Sequence, residues 1–367
     1  MTKINLVIAS ILKPIDDPRM YEKIGITLSD SQKYSVHIVG HVSISPPINT
    51  HINFYSPFNF SRNSKRRISA PLKFYKILLK LKPKVVIVET PELLIVTVIY
   101  KILFGCRIYY DVLENYYYNI LYLSKHSMFL KIFLGTCTRA VELITSPFIE
   151  KFILAEKCYI KELPFVKKKF AVLENKLSPI YHNLGKTKKR SFYHLLYTGT
   201  IAESFGIFEA IEVASKLNAL DYRFHLTIIG YCADQNELVK IKNYILKLPF
   251  IHLIGGDYLV PHQQIMKMIN TADIGLITYQ ANKAFNSKMP TKLYEYMYDR
   301  LPMIIPQNSL WVEFCRPYCS ALVVNYAHID VFRLIYDLNS VSFYDKVEGS
   351  LYNNLLWERF ILLGIIY

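Results

Sequence analysis

The stretch Asn286-Ser-Lys-Met-Pro-Thr-Lys-Leu-Tyr-Glu-Tyr-Met-Tyr298 sets a proline where a helix would begin, with Lys288 just ahead of it and Thr291 and Lys292 in the first turn. A helix N-terminus already carries partial positive charge and backbone N–H groups without intrahelical partners, so acidic side chains are its usual neighbours. Two lysines crowd this one. A bound anion explains the arrangement, held by the free N–H groups and by charge-assisted contacts from Lys288 and Lys292. Glu295 lies one turn beyond Lys292 on the same helix face, a carboxylate able to accept from ligand hydroxyls. On the residues alone, Pro290 reads more simply as an ordinary helix start and Glu295 as a solvated surface group. Gly199-Thr200, at a strand-to-helix turn, either lets the backbone approach a ligand closely or simply makes the turn. Gly230 and Tyr231 end another strand at the same edge.

Such residues need a frame that gathers strand ends and helix starts along one edge. In the first half the apolar pattern predicts strands at Ile4–Ala9, Ser35–Gly40, Lys84–Glu89, Arg107–Asp111, Glu142–Thr145 and Ala171–Glu174. Helices are expected at about Arg19–Asp30, Pro71–Leu81, Pro91–Phe104 and Pro147–Ala155. The second half alternates strand Tyr193–Thr198, helix Phe205–Leu217, strand Phe224–Gly230, helix Gln235–Leu246, strand Ile251–Ile254, helix Pro261–Thr271 and strand Asp273–Thr278. It continues with a helix from Pro290, strand Met303–Pro306, a short helix near Trp311, strand Ala321–Val324 and helices to the end. Strands apolar on both faces and separated by helices imply parallel sheets covered on each side. The charge run Lys186-Thr-Lys-Lys-Arg190 reads as an exposed linker. The expected fold is therefore α/β, two doubly wound Rossmann-like domains, residues 1–190 and 191–345, with a terminal helical segment, 346–367. Ligands of such sheets bind beyond the carboxyl ends of the strands, so the cleft between two facing domains is the expected site.

The 367 residues suit two domains, and 52% hydrophobic against 20% charged residues excludes disorder. The most apolar window, Val85 to Phe104, contains Glu89, Pro91, Glu92 and Lys101, whereas a membrane span needs about 20 nearly uncharged residues. No transmembrane helix is expected. The N-terminal MTKINLVIAS reads as a first buried strand rather than a secretory signal, which implies a cytoplasmic protein. Six cysteines, scattered without a paired framework, read as reduced thiols, and Cys315 and Cys319 lack the Cys or His pair that would complete a zinc site. The loop Asp16-Asp17-Pro18-Arg19 follows the first strand in place of a GxGxxG, and there is no P-loop, His-Glu-x-x-His or Gly-x-Ser-x-Gly. Hydride transfer, Walker-type hydrolysis, zinc proteolysis and serine-esterase chemistry all lose their signatures.

Charge is uneven. Residues 1–190 carry 30 Lys and Arg against 13 Asp and Glu, net +17, and residues 191–367 carry 14 against 16, net −2. A cationic half suits nucleic acid, anionic lipid or phosphorylated substrates. Within it, Ser61-Arg-Asn-Ser-Lys-Arg-Arg67 precedes Pro71–Leu81, in which Lys73, Lys76 and Lys80 share one face, as suits an anionic membrane surface or a solvated helix.

The segments Leu196-Tyr-Thr-Gly-Thr-Ile-Ala-Glu-Ser-Phe-Gly-Ile-Phe-Glu-Ala-Ile211, Ile228-Ile-Gly230, Thr271-Ala-Asp-Ile-Gly-Leu276, Met289-Pro-Thr-Lys-Leu-Tyr-Glu-Tyr-Met297 and Leu301-Pro-Met-Ile-Ile305, in that order, resemble the donor domain of GT-B glycosyltransferases of the retaining "group 1" class, family 4. Asp17-Pro-Arg-Met20, Val86-Ile-Val-Glu-Thr-Pro91 and Tyr110-Asp-Val-Leu-Glu-Asn115 match less specifically. Leu356-Trp-Glu-Arg359 looks like the Trp-Glu that opens the family's last helix, which crosses back onto the first domain. The resemblance implies that a nucleotide-diphosphate sugar binds the second domain and an acceptor the first. Lys288, Thr291, Lys292 and the backbone of Gly199 and Thr200 would then hold the diphosphate, Glu295 the ribose, and Gly230 and Tyr231 the base. Arg19 would reach the diphosphate from the first domain, and Asp111 and Glu114 would orient the acceptor hydroxyl, unless they are a helix cap and surface charge. Neither metal nor cofactor is expected, since lysines and helix dipole replace magnesium.

Three positions depart from the pattern. The first of two glutamates eight residues apart, which touches the donor sugar, falls on Ser287; the Arg and Lys of the Gly199 loop fall on Thr200 and Phe205; the His of an Asp-x-His-Glu segment falls on Leu113. The family's mechanism is thought to be front-face substitution, in which the departing phosphate oxygen takes the acceptor proton, so a strong general base is not required. The reading is a transferase in bacterial surface polysaccharide synthesis, such as lipopolysaccharide, with a glycan or lipid-linked acceptor, peripheral on the inner face of the plasma membrane. The alternatives are a GT-B protein that binds without transferring, epimerase-like or inactive, and a nucleic-acid binder, although no nucleic-acid motif is present.

Overall fold

The computed structural model describes residues 3–44, 46–60, 64–124, 126–178, 192–280, 282–283, 285–345 and 350–367. The expected linker 186–190 and the start of the 61–67 basic run lie outside these residues. The chain forms two compact units, one of Met1–Ile180 with Trp357–Tyr367 and one of Tyr181–Leu356.

In the first unit seven parallel strands, β1 (Ile4–Pro14), β2 (Tyr34–His41), β3 (Ile52–Phe58), β4 (Val85–Val88), β5 (Arg107–Val112), β6 (Lys151–Leu154) and β7 (Phe170–Val172), lie in the order β3-β2-β1-β4-β5-β6-β7. The central strand β4, Val-Val-Ile-Val, is buried on both faces. Helices Ala70–Leu81, Leu94–Phe104 and Met128–Thr145 cover one side, through Phe74, Leu78, Leu94 and Val98. The other side is closed by a wide π-type turn, Pro18–Gly25, and helices Ile26–Asp30 and Arg359–Ile366.

Two expectations fail here. Glu142–Thr145 is the end of the Met128–Thr145 helix rather than a strand, and Pro147 starts no helix but sits in a short turn that leads into β6. The outer stripe of this helix is apolar, so the polar face that marks a surface helix is missing. Strand β3 and the helix Tyr116–Leu123 were likewise not foreseen.

The second unit repeats the plan with β8 (Tyr193–Thr200), β9 (Phe224–Tyr231), β10 (Ile251–Gly256), β11 (Ile274–Leu276), β12 (Met303–Pro306) and β13 (Ala321–Val324), ordered β10-β9-β8-β11-β12-β13 and all parallel. Strand order reverses between β1 and β4 in one unit and between β8 and β11 in the other, the points where open α/β sheets bind ligands. The helix Ser350–Leu355 packs on Thr291–Tyr298 within the second unit, and the chain rejoins the first at Trp357.

That return is fixed residue by residue. Trp357 N–H donates to the Leu177 carbonyl (2.8 Å), Glu358 pairs with Lys176 (2.7 Å) and Arg359 with Asp30 (2.5 Å). The Trp357 ring, 4% exposed, lies under the Arg19 guanidinium at 5.3 Å. Trp357→Ala should cost about 3 to 5 kcal/mol in the first unit, read as an earlier denaturant midpoint for that unit's unfolding. An unchanged midpoint would show that the terminal segment is dispensable to it.

Candidate functional site

At the β8–β11 switch point the backbone can close only through glycine. A Cβ on Gly230 would lie 1.7 Å from the Gly199 carbonyl oxygen, so the ends of β8 and β9 come together because neither carries a side chain. Gly206, at φ +76°, starts the Ile207–Leu220 helix where a Cβ would lie 1.8 Å from the Thr278 carbonyl oxygen. Thr278 Oγ1 donates to the Gly206 carbonyl at 2.6 Å. The Tyr197 hydroxyl stands 2.8 Å from the Thr200 carbonyl and 3.1 Å from that of Phe205, pinning the loop between them. Thr200 itself is exposed, and Tyr231 is half-buried at the neighbouring strand end.

The helix begins at Thr291; Pro290 precedes it in extended conformation and supplies no side-chain cap. Ser287 is exposed, and Lys288 and Thr291 are half-buried. Lys292, expected to make a charge-assisted contact with a bound diphosphate, is only 5% exposed. Its ammonium donates to the Thr198 carbonyl and lies 4.6 Å from the Tyr197 ring centre and 5.0 Å from that of Tyr279. The side chain runs beneath Gly199, where a Cβ would stand 3.7 Å from Lys292 Cε. Burial lowers the pKa of this amine to about 7, with Glu295 pulling the other way. Glu295, also buried, holds His262 Nε2 at 2.8 Å. His262 escaped the sequence reading, which took Pro261-His262 only as a helix start; the two partners are 33 residues apart.

Phe205, which stands where the family pattern has lysine, packs its ring against Tyr279 (5.3 Å) and Phe285 (4.8 Å), and Tyr279 meets Trp311 edge-on (5.8 Å). Beside this aromatic wall is a pocket of about 180 Å³, rimmed by the amides Gln280, Asn286, Gln307 and Asn308. Trp311 Nε1 donates to the Lys288 carbonyl (2.6 Å), tying the pocket wall to the loop ahead of the helix.

The first unit's switch point is charged. Arg19 was expected to lend its charge to a phosphate, but its guanidinium is 1% exposed and is held by both Asp111 oxygens (2.7 Å each) and the Leu173 carbonyl (3.0 Å). Asp17 accepts from the Arg19 and Met20 N–H groups and thereby turns Arg19 inward. Asp111 is fully buried in this pair, so its geometry favours a structural part over contact with an acceptor. Glu114 is exposed and accepts from Asn119, and it is Asn115 that caps the next helix.

Glu89, at the carboxyl end of β4, is fully buried, and neither carboxyl oxygen has a hydrogen-bond partner among the described residues. Burial pushes its carboxyl well above 4.5; Lys13 opposes this, and Asp111 reinforces it. Between the unfolded value near 4.5 and the higher folded one, the folded state holds the extra proton, so stability falls as pH rises through that window. Glu89→Gln should flatten this fall and be more stable than the parent at pH 8 than at pH 4, as read by chemical denaturation at both. An unchanged pH profile would mean that Glu89 ionises in the folded protein as it does in the unfolded chain.

Among the described residues no three His, Cys, Asp or Glu side chains group as a metal site. The two parallel sheets with their order reversals define the class, a GT-B fold, as the sequence resemblance implied. Neither a family model nor a curated protein matches the chain. Among solved structures it is similar to sucrose-phosphate synthase from Thermosynechococcus elongatus, at 12% identity and a TM-score of 0.70 over 99% of this chain and 97% of that one. HepE of Anabaena in complex with UDP-glucose aligns at 12% and 0.67, covering 99% and 98%. WaaG, a glycosyltransferase involved in lipopolysaccharide biosynthesis, aligns at 10% and 0.66, covering 98% and 94%.

Proposed function

We propose that the protein is a retaining glycosyltransferase that takes a sugar from a nucleotide-diphosphate donor bound to the second unit and passes it to a glycan or lipid-linked acceptor bound to the first, in bacterial surface polysaccharide synthesis. The observation that carries the donor side is the buried Lys292 ammonium beneath Gly199 at the switch point, at the start of the helix that Pro290 leads. A diphosphate there would be met by the amine, by the backbone beside Gly199 and by Lys288 and Thr291, with the Glu295–His262 pair left for ribose hydroxyls. The HepE structure contains UDP-glucose, which supports a nucleotide sugar as the ligand class. The donor binds without a divalent metal, because the lysines and helix dipole supply the positive charge. Transfer follows the front-face route, and the cationic first unit works at the inner face of the plasma membrane.

A second reading has one observation behind it. Phe205 and Ser287 replace charged groups of the family pattern, and Phe205 is locked in an aromatic cluster, so a GT-B protein that binds a nucleotide sugar without transferring it remains the rival. Product analysis separates the two: release of UDP or GDP dependent on an acceptor supports transfer, and sugar isomerisation or no turnover supports the rival. A nucleic-acid binder would instead show salt-sensitive oligonucleotide binding and no nucleotide affinity.

In calorimetry with UDP and GDP in EDTA, Lys292→Ala and Glu295→Ala should each weaken binding by about tenfold or more. Because burial leaves the Lys292 amine near 7 and a bound diphosphate favours its charged form, binding at pH 8 should take up as much as about one proton, seen as a buffer-dependent heat. Lys292→Ala should abolish that uptake, and unchanged affinity in both variants would sink the site. The amide-rimmed pocket is the place where the sugar would be read. Gln307→Ala, an exposed change, should alter preference among UDP-sugars several-fold while UDP affinity stays level. A uniform loss across UDP and all its sugars would remove that assignment.

A further inference from the structure

The Met128–Thr145 helix is built inside out. Its core side carries Arg139, Glu142 and Thr145: Arg139 donates to Asn115 at 2.7 Å and pairs with Glu142 at 3.1 Å, and Glu142 accepts from the buried Tyr110 hydroxyl at 2.9 Å. The solvent side carries Phe129, Ile132, Phe133, Leu143 and Ile144, spaced as one continuous stripe, with Phe129 84% and Ile144 71% exposed. Thr136, Cys137 and Ala140 fill the stripe between them, so it holds no charge over its whole length. The neighbouring Leu94–Phe104 helix does the same with Ile95, Ile99, Ile102 and Leu103. The two helices pack side by side, and Lys101 Nζ on one donates to the Phe148 carbonyl just beyond the other at 2.8 Å. Scattered exposed apolar residues are ordinary; two adjacent stripes that merge into one face are not.

Next in line is Ala70–Leu81, packed against Leu94–Phe104, and its exposed side carries Lys73, Lys76 and Lys80. The sequence reading of this basic helix as suited to an anionic membrane surface is thereby extended: it supplies the charge, and its two neighbours supply the apolar area. The first unit as a whole has 27 Lys and Arg against 14 Asp and Glu, net +13.

We propose that this three-helix face seats on an anionic bilayer, the two apolar stripes entering the interface and the lysines of Ala70–Leu81 meeting lipid phosphates. Charge complementarity selects this occupant. A second copy joined there about a two-fold axis would bring two net-positive units and their lysine rims together, whereas anionic headgroups neutralise the rim while the acyl boundary takes the stripes. Among the described residues no helix is long and apolar enough to cross a membrane, so the face lies on the bilayer. The proposal rests on the transferase reading only for its purpose, delivery of a lipid-linked acceptor; the contact itself stands on the surface.

The test is flotation of the full chain, without nucleotide, with vesicles of phosphatidylcholine alone and of phosphatidylcholine and phosphatidylglycerol in equal amounts. Binding to the mixed vesicles is expected, with little to the neutral ones. Phe129→Asp with Phe133→Asp should weaken it about tenfold or more, and each of Lys73→Glu, Lys76→Glu and Lys80→Glu about fivefold with a shallower salt dependence. All these side chains are exposed or form helix surface, and circular dichroism together with UDP calorimetry of each variant confirms that it folds. The proposal is overturned if the parent protein ignores anionic vesicles, if the Phe pair leaves binding intact, or if sedimentation shows a dimer that Phe133→Asp dissolves. Vesicle binding without UDP affinity would sink the donor reading and leave this surface standing.

Discussion

The second unit is organised around one costly group, an ammonium taken out of water at the reversal point of a parallel sheet. Lys292 reaches the Thr198 carbonyl and the faces of Tyr197 and Tyr279, which between them only partly offset its desolvation, and its pKa near 7 expresses the remainder. The surrounding choices follow from keeping that amine beside the strand ends. Gly199 leaves room for the side chain to pass, Gly230 lets β9 come flush with β8, and Gly206 brings the next helix hard against Thr278. Tyr296 fixes the same helix one turn on, its hydroxyl 2.9 Å from Thr198 Oγ1. A phosphate-bearing ligand would complete the group electrostatically, so the cost of burying the amine and the proposed affinity have a common source.

How far the sequence could be read depended on how locally each feature is encoded. The second unit was legible because its strands are short, β-branched and apolar on both faces, and because the glycines mark the turns; β12 and β13 fall where the pattern placed them. Between 128 and 154 the reading failed, since a helix with an apolar outer stripe offers no alternation of faces, and Pro147 imitates a helix start. Depth was hidden as well. Spacing shows that Lys288 and Lys292 crowd a helix start but not that Lys292 turns inward. Arg19 looked like a free cation because the carboxylate that takes it lies 92 residues away. The pairing of His262 with Glu295 is equally non-local: nothing near Glu295 in sequence announces a histidine partner from the start of another helix.

The two switch points share a topology and differ in what they leave unneutralised. In the first unit Arg19 is matched by Asp111 and Lys13 by Asp17, at 3.2 Å, and the group left over is a carboxyl, Glu89, whose pKa burial pushes well above its ordinary value. In the second the group left over is a cation whose hydrogen-bond partner is a neutral carbonyl. A spare cation suits an anionic donor, whereas Glu89, like Asp111, is fully buried and so positioned for a structural part rather than for contact with an acceptor. This difference, arising on two copies of one sheet plan, supports the proposed placement of an anionic donor on the second unit without reference to any relative.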